Sequence, residues 1–376
     1  VEGLVTRMFG QYYRNKRVLL TGHTGFKGAW MGLWLKRLEA HVTGIGLPAP
    51  TQPNFHEILS GLVFDRQIGC DIRDADAVQK ALAETAPEII FHLAAQPLVR
   101  ASYASPLETL QTNTLGTANL LEAVRKLGLP SNVVVVTTDK CYENRCWDYG
   151  YREVDPLGGH DVYSASKAAA ELVVEAWRRS FFLPDAKLGH IASARAGNVI
   201  GGGDYAKDRI VPDCVRALIG KRPVEVRNPA STRPWQHVLD CVSGYLWLGA
   251  KLGVAPKDSP LDGAFNFGPG PRANRPVSEV VAELLKTWPG EWRHQPPAVA
   301  PHEAHRLNLS IDKAAALLGW FPTWTFEEAV IHTATWYHQR HALNKPNMVQ
   351  FSLAQIESFT EAARQRRLAW AEDAAP

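Results

Sequence analysis

The chain has 376 residues, 45% apolar and 21% charged, with a formal net charge of +3; that length suits one large domain or two, and interspersed, nearly balanced charge gives no basis for a nucleic-acid or membrane-surface partner. No apolar run approaches the roughly 20 residues of a membrane-spanning helix, and the start Val1-Glu2-Gly3-Leu4 lacks the marks of a signal peptide. Cys70, Cys141, Cys146, Cys214 and Cys241 are odd in number, with no Cys-x-x-Cys pair, and read as reduced thiols of a cytoplasmic protein without a metal.

In chain order, residues 17–21 read as a first strand, followed by a glycine turn and a helix over 29–38. Further strands are expected at 41–47, 63–68, 88–94, 132–137 and 187–194, with helices at 76–86, 107–127 and 163–181. Unbroken apolar runs such as Val133-Val-Val-Val136 suit strands covered on both faces. The alternation predicts an α/β fold, a Rossmann-type doubly wound parallel sheet. After about residue 201, loops rich in Gly, Pro and Arg separate shorter elements at 223–227, 238–252, 277–288 and 326–341. These predict a smaller α+β substrate lobe. The expected organisation is a dinucleotide-binding domain over 12–200 and a lobe over 201–340, with segments free to cross between them. A docked helical extension follows over 345–376.

Gly22-His-Thr24-Gly25-Phe26-Lys27-Gly28 lies directly between the first strand and the first helix. Glycines there permit a tight turn and let backbone N–H groups approach a pyrophosphate, with the helix N-terminus adding partial positive charge. An acid for the adenosine ribose is expected just after the second strand, but Leu47-Pro48-Ala49-Pro50 stands there.

Tyr163-Ser-Ala-Ser-Lys167 opens a helix. Positions i and i+4 share a helix face, so phenol and ammonium can serve one site. The charge of Lys167, with that of an oxidised nicotinamide, is expected to lower the Tyr163 pKa. Thr137-Thr138 ends the intervening strand, and Asp139-Lys140 follows at its C-terminal end. His302-Glu303-Ala304-His305 is not a helical zinc motif, because its histidines are three apart rather than four.

The spacing Gly-x-x-Gly-x-x-Gly together with Tyr163 and Lys167 resembles the extended short-chain dehydrogenase/reductases. The run Thr138-Asp139-Lys140-Cys141-Tyr142 resembles the nucleotide-sugar 4,6-dehydratases, and its Asp-Lys form the CDP-glucose branch. Phe26-Lys27-Gly28-Ala29-Trp30, the stretch 195–204, Arg233-Pro-Trp-Gln-His-Val-Leu-Asp240, Phe265-Asn-Phe-Gly-Pro269 and His302-Glu-Ala-His305 extend that likeness.

The resemblance implies an NAD-dependent hydro-lyase converting CDP-glucose to CDP-4-keto-6-deoxyglucose. Tyr163 would be the C4 base and Thr138 a hydrogen-bond partner of the same oxygen. Asp139 would be the acid at C6, and Lys140 the base at C5 or the group that organises that side. NAD would lie against Gly22, Thr24, Gly25, Phe26, Lys27, Gly28, Asp71, Ile72, Leu93, Ala94, Ala95, Gln96, Thr112, Tyr163 and Lys167. Asn198, Arg209 and Arg233 would hold the sugar diphosphate, with Asn266, Glu303 and His305 near the nucleotide. A homodimer or homotetramer paired through the helices at 107–127 and 163–181 is implied as well. A nucleotide-sugar 4-epimerase and a non-catalytic NAD-sensing protein are the rival readings; the first needs no Asp139-Lys140 pair, the second no intact Thr/Tyr/Lys set.

Overall fold

The structure is a computed structural model and describes residues 8–59, 61–296 and 307–372. Seven strands form one parallel sheet: β1 Arg17–Thr21, β2 His41–Gly46, β3 Arg66–Gly69, β4 Ile89–His92, β5 Asn132–Val136, β6 Ile191–Arg195 and β7 Ala264–Asn266. Their spatial order is β7-β6-β5-β4-β1-β2-β3. The chain reverses direction of travel across the sheet between β1 and β4, where a doubly wound sheet opens a crevice at its strand ends.

Side chains alternate across the sheet because successive Cβ atoms point to opposite faces. Val134 and Val136 join one core with α1 (Phe26–Arg37), while Val133 and Val135 join the other with α2 (Ala75–Thr85), α3 (Gly116–Leu127) and α4 (Val162–Trp177). The all-valine run of β5 is thus consumed equally by two layers.

Two expected elements differ in detail, and one strand is additional. The third strand begins at Arg66, since Val63 and Phe64 are buried and press on α1, where a Cβ at Gly32 would lie 2.6 Å from the Phe64 ring. The single helix expected at 107–127 is Pro106–Leu110, a π turn over Gln111–Leu115, and α3. The wider turn carries Asn113, whose amide accepts from the Gln96 N–H at 2.8 Å and donates to the Gln96 carbonyl and the Ser166 hydroxyl. Such π turns lodge an extra residue where a side chain must be aimed. The seventh strand, β7, was not foreseen; three residues long, it carries too little periodicity to read as a strand.

Segments beyond residue 201 return to the main sheet. β7 pairs with β6, and α5 (Val238–Leu252) packs against β5 and α1. One continuous apolar core joins the sheet face to the later helices. Thr232–Pro234 pairs antiparallel with Asn274–Pro276, and Val224–Val226 parallel with Trp292–His294; the first strand of each pair brings Arg233, Glu225 and Val226 to the cleft.

The segment after residue 345 packs against the main body. Its helix α6 (Met348–Gln365) sits behind α1, with the Trp34 ring 5.8 Å from Phe359 and 5.7 Å from Trp370. Phe9 stacks on Trp370 at 5.3 Å and meets Trp34 edge-on at 5.7 Å. Among the described residues no helix is long and apolar enough to cross a membrane.

Candidate functional site

A cleft of about 1370 Å³ runs across the C-terminal strand ends. Its floor is the glycine turn. Gly22 has φ +70°, and a Cβ there would lie 2.8 Å from the Ala94 backbone. A Cβ at Gly28 would come within 2.3 Å of the Gly22 carbonyl oxygen. Both positions therefore exclude any side chain, one by backbone conformation and both by contact. Gly25 caps α1 without a side-chain acceptor, so the first N–H groups of a 12-residue helix face the cleft unfilled. That cradle suits a pyrophosphate.

The remaining predicted cofactor residues, Thr24, Phe26, Lys27, Asp71, Ile72, Leu93, Ala94, Ala95, Gln96 and Thr112, all line the same cleft. Thr24 donates to the Leu47 carbonyl at 2.9 Å, which ties the turn to the acid-free segment after β2. Arg73 grips both Asp71 oxygens and holds that carboxyl below its usual pKa. Gln96 spends its side-chain amide on the Leu98 carbonyl and Thr109 hydroxyl.

At the inner end, two threonines that line the cleft follow directly on β5. Thr137 donates to Glu171 on α4, and Thr138 faces the cleft. Glu171 is buried against Arg195 at 2.7 Å and also accepts from Ser193. Burial opposes its charge, but Arg195, Ser193 and Thr137 together keep its pKa below the usual carboxylate value. The pair fixes α4 against β5 and β6, and so sets the position of Lys167 and Tyr163 one and two turns earlier.

Asp161 caps α4 by accepting from the Ser164 N–H at 2.9 Å. Tyr163 and Lys167 are both buried and both line the cleft. Lys167 donates to the Val136 carbonyl at 3.3 Å. Its pKa is pulled down to about 8, first by burial and then by the ammonium of Lys27. For Tyr163 the expected lowering is reversed. Burial pushes its pKa up to about 12; the Thr138 hydrogen bond and Arg209 pull the other way, and Asp139 adds to the rise. Desolvation of the phenolate outweighs the nearby cations in the chain alone.

Thr138, Asp139 and Lys140 follow in a short turn at the end of β5, and all three line the cleft. Asp139 is buried; its Oδ1 accepts from Thr138 at 3.0 Å and its Oδ2 from the Asn198 amide at 3.1 Å. It packs so closely on Gly197 that a Cβ there would lie 2.0 Å from its carboxyl carbon. Lys140 is half-buried, and its backbone N–H donates to the Thr138 hydroxyl.

The residues expected to hold the sugar nucleotide are brought together less completely. Asn198, Arg209 and Arg233 line the cleft. The Asn198 amide is turned to Asp139, however, and Arg209 pairs with Asp204 at 2.7 Å. Asn266 does not line the cleft, which corrects the expectation for it. It is fully buried, accepts from the Tyr142 hydroxyl at 2.7 Å and donates to the carbonyls of Tyr151 and Ser310. As the last residue of β7 it knits three loops together. Glu303 and His305 lie outside the described residues, as does the whole of 302–305. Sequence reasoning missed Arg100, Asp208 and Arg227. They meet at the cleft, both guanidiniums at 3.1 and 3.0 Å from one Asp208 oxygen. No local motif marks them, since they come from three distant segments.

The sequence profile of the family described as GDP-mannose 4,6 dehydratase matches residues 19–254. A curated CDP-glucose 4,6-dehydratase of Salmonella typhimurium is 46% identical over 337 residues, 87% of this chain and 91% of that protein. A dTDP-glucose 4,6-dehydratase of Mycolicibacterium smegmatis is 30% identical over 88% of this chain and 96% of its own length. Among solved structures, the NAD complex of a Thermus thermophilus UDP-glucose 4-epimerase covers 86% of this chain and 99% of its own, at 25% identity and TM-score 0.72. A Bacillus anthracis dTDP-glucose 4,6-dehydratase with NAD shares the fold at TM-score 0.71 and 21% identity, over 86% of this chain and 97% of its own. By its length of match and its identity to these relatives, the chain belongs to the GDP-mannose 4,6-dehydratase family, a nucleotide-sugar dehydratase branch of the extended short-chain dehydrogenases.

Proposed function

We propose that the chain is an NAD-dependent CDP-glucose 4,6-dehydratase, releasing water and CDP-4-keto-6-deoxyglucose. The observation that carries this reading is the convergence of Tyr163, Lys167, Thr138, Asp139 and Lys140 on one cleft floored by the glycine turn. The base and sugar are taken from the Salmonella relative.

NAD fits the cradle of Gly22, Gly25 and Gly28 with the open N-terminus of α1, and when bound it supplies reversible hydride acceptance. This chain's residues do the rest. Tyr163 takes the C4 hydroxyl proton as the C4 hydride leaves. The ketone so formed acidifies the C5 proton, which Lys140 removes while Asp139 protonates the departing C6 oxygen. With NAD bound, the hydride would be returned to C6 while Lys140 gives the proton back to C5, which completes the 4-keto-6-deoxy product. Lys167 orients the cofactor and favours the phenolate. Arg209 and Arg233 hold the diphosphate, a task suited to the planar guanidinium fork. Neither rival reading has an observation of its own, because an epimerase has no use for a proton donor and acceptor beyond C4.

The setting we propose is the cytoplasm, in deoxysugar supply for a bacterial surface polysaccharide such as an O-antigen. The assembly we propose is a homodimer or homotetramer, for which the exposed Leu107, Leu115 and Leu172 on the helices around α3 and α4 offer an apolar face.

Purified protein incubated with CDP-, TDP-, GDP- and UDP-glucose and followed by NMR tests the reading. A 4-keto-6-deoxy product from CDP-glucose alone is expected. C4 inversion without dehydration would replace the dehydratase with an epimerase, and no turnover of any sugar would favour a binding protein.

A further inference from the structure

Asn266 lies behind the turn that carries Asp139 and Lys140, bonded to the residue that closes it. That residue is Tyr142, two positions after Lys140 and buried. Its ring stacks on Tyr151 at 5.2 Å, a contact that phenylalanine would make equally well. Packing does not explain the hydroxyl. It accepts from Arg195 Nη1 at 2.8 Å and donates to Asn266 Oδ1 at 2.7 Å. These roles are fixed, because a guanidinium only donates and Asn266 Nδ2 already donates to the Tyr151 and Ser310 carbonyls at 2.8 and 3.0 Å. Arg195 is the last residue of β6 and Asn266 the last of β7, the two strands beyond β5 in the sheet. One phenol therefore ties the turn after β5 to the ends of both. Each partner is itself held, Arg195 by Glu171 at 2.7 Å and the Asn266 N–H by Glu153 at 2.8 Å.

The turn is thus held at two ends. In front, Thr138 and Asn198 hold the Asp139 carboxyl; behind, Arg195 and Asn266 hold the Tyr142 hydroxyl. Lys140 stands between them on a flexible four-carbon stem, so the reach of its ammonium depends on where its backbone is fixed. We infer that Tyr142 is a positioning residue for dehydration, its hydroxyl clasped between Arg195 and Asn266 so that Lys140 is aimed at C5. The inference rests on the reaction proposed above, in which Lys140 is the base at C5. Oxidation at C4 draws instead on Tyr163 and Lys167, which are placed by α4. Loss of the Tyr142 hydroxyl leaves Arg195 on Glu171 and on the Glu153 carbonyl at 3.2 Å, so the clamp on α4 survives. The hydroxyl should therefore matter greatly for elimination and little for oxidation.

The test is Tyr142→Phe, which keeps the stack and deletes the hydroxyl, beside Asn266→Ala, which cuts the same bond from the other side. Rapid mixing with CDP-glucose reads C4 oxidation as NADH absorbance, NMR reads exchange of the C5 proton with deuterium, and quenched product reads elimination. In Tyr142→Phe, elimination and C5 exchange are expected to slow about 100-fold, the loss that a misplacement of about 1 Å brings. Oxidation and KM should stay within a few-fold of the parent. NADH should therefore build up during turnover, which a general loosening of the cleft would not produce. The double variant should eliminate no more slowly than the slower single, because effects that pass through one bond do not add. Tyr151→Phe removes a neighbouring hydroxyl that serves the Arg145 N–H and Asn144 instead, and should leave the ratio of elimination to oxidation unchanged. If Tyr142→Phe eliminates at the parental rate, or slows oxidation and elimination alike, the hydroxyl does not aim Lys140 and the inference is wrong. Additive losses in the double variant would overturn it equally. Should Tyr142→Phe fail to fold, NADH build-up in Asn266→Ala decides. A parent protein that makes no 4-keto-6-deoxy sugar would instead sink the dehydratase reading, so the two failures are distinct.

Discussion

The two ends of the cleft are built by different means. At the inner end, Thr138, Asp139 and Lys140 are consecutive on the close of β5, and Tyr163 and Lys167 share one face of α4. Both elements are clamped by the buried pair Glu171–Arg195, so the geometry is fixed before any ligand arrives. At the outer end, Arg100, Asp208, Arg209, Arg227 and Arg233 come from a short helix, loops and a short strand. Arg209 pairs with the buried Asp204, whereas Arg100 and Arg227 meet Asp208 in ion pairs whose side chains are all a third or more exposed. Such pairs are individually worth about 0–1 kcal/mol. The comparison teaches that chemistry is preorganised in this chain, while grip on the nucleotide is assembled from adjustable contacts.

The sharpest way to break that comparison is Lys140→Ala. A preorganised inner end should still oxidise C4, so NADH should form, while dehydrated product falls about 10³-fold and the C5 proton stops exchanging with deuterium. Rapid C5 exchange in the variant, read by NMR, would take the base role from Lys140.

Next in size is an effect on stability. The Lys167 pKa is about 8 in the folded chain against a usual 10.5. The folded state binds protons less tightly than the unfolded one, so the charged ammonium weakens the fold below about pH 8. That cost fades as pH climbs toward 10.5. The shift corresponds to on the order of 3 kcal/mol, offset by about 1 kcal/mol for the donor lost at the Val136 carbonyl in a Met variant. Lys167→Met should therefore unfold later than the parent in cofactor-free urea titrations at pH 7, by about 2 kcal/mol. The gain should vanish near pH 10.5. A variant less stable at pH 7 would mean that the inner end is relaxed rather than preorganised.

The smallest effect is expected at the outer end. Arg233→Lys keeps charge and loses the planar fork, so KM for the nucleotide sugar should rise about tenfold with kcat within twofold. A fall in kcat with KM unchanged would place Arg233 at the reacting sugar and erase the division between the two ends.

The inner end was the legible one. The glycine turn, Thr138–Lys140 and Tyr163–Lys167 each occupy one contiguous stretch, and the periodicity of the flanking elements places them on strand ends and a helix face. The outer end was not. Arg100 and Arg227 share an Asp208 oxygen only because the chain folds back across more than a hundred residues, and no local pattern encodes that meeting. Asn266 misled for a related reason. It sits within a run resembling known family sequence, but as the end of β7 it faces Tyr142, Tyr151 and Ser310 rather than the cleft. The direction of the Tyr163 shift was equally hidden, because the depth of burial that decides it is a property of the packed molecule alone.

The aromatic clasp behind α1 bears on the order in which the protein becomes competent during synthesis. Trp34, on the cofactor-facing helix, is covered from behind by Phe9, Phe359 and Trp370. Synthesis reaches the helix after the glycine turn more than 300 residues before it reaches Phe359 and Trp370 in that helix's back wall. On the ribosome, the nascent chain therefore carries this turn long before it can seat it. The ability to retain a dinucleotide should arrive late and abruptly, when residue 370 clears the exit tunnel.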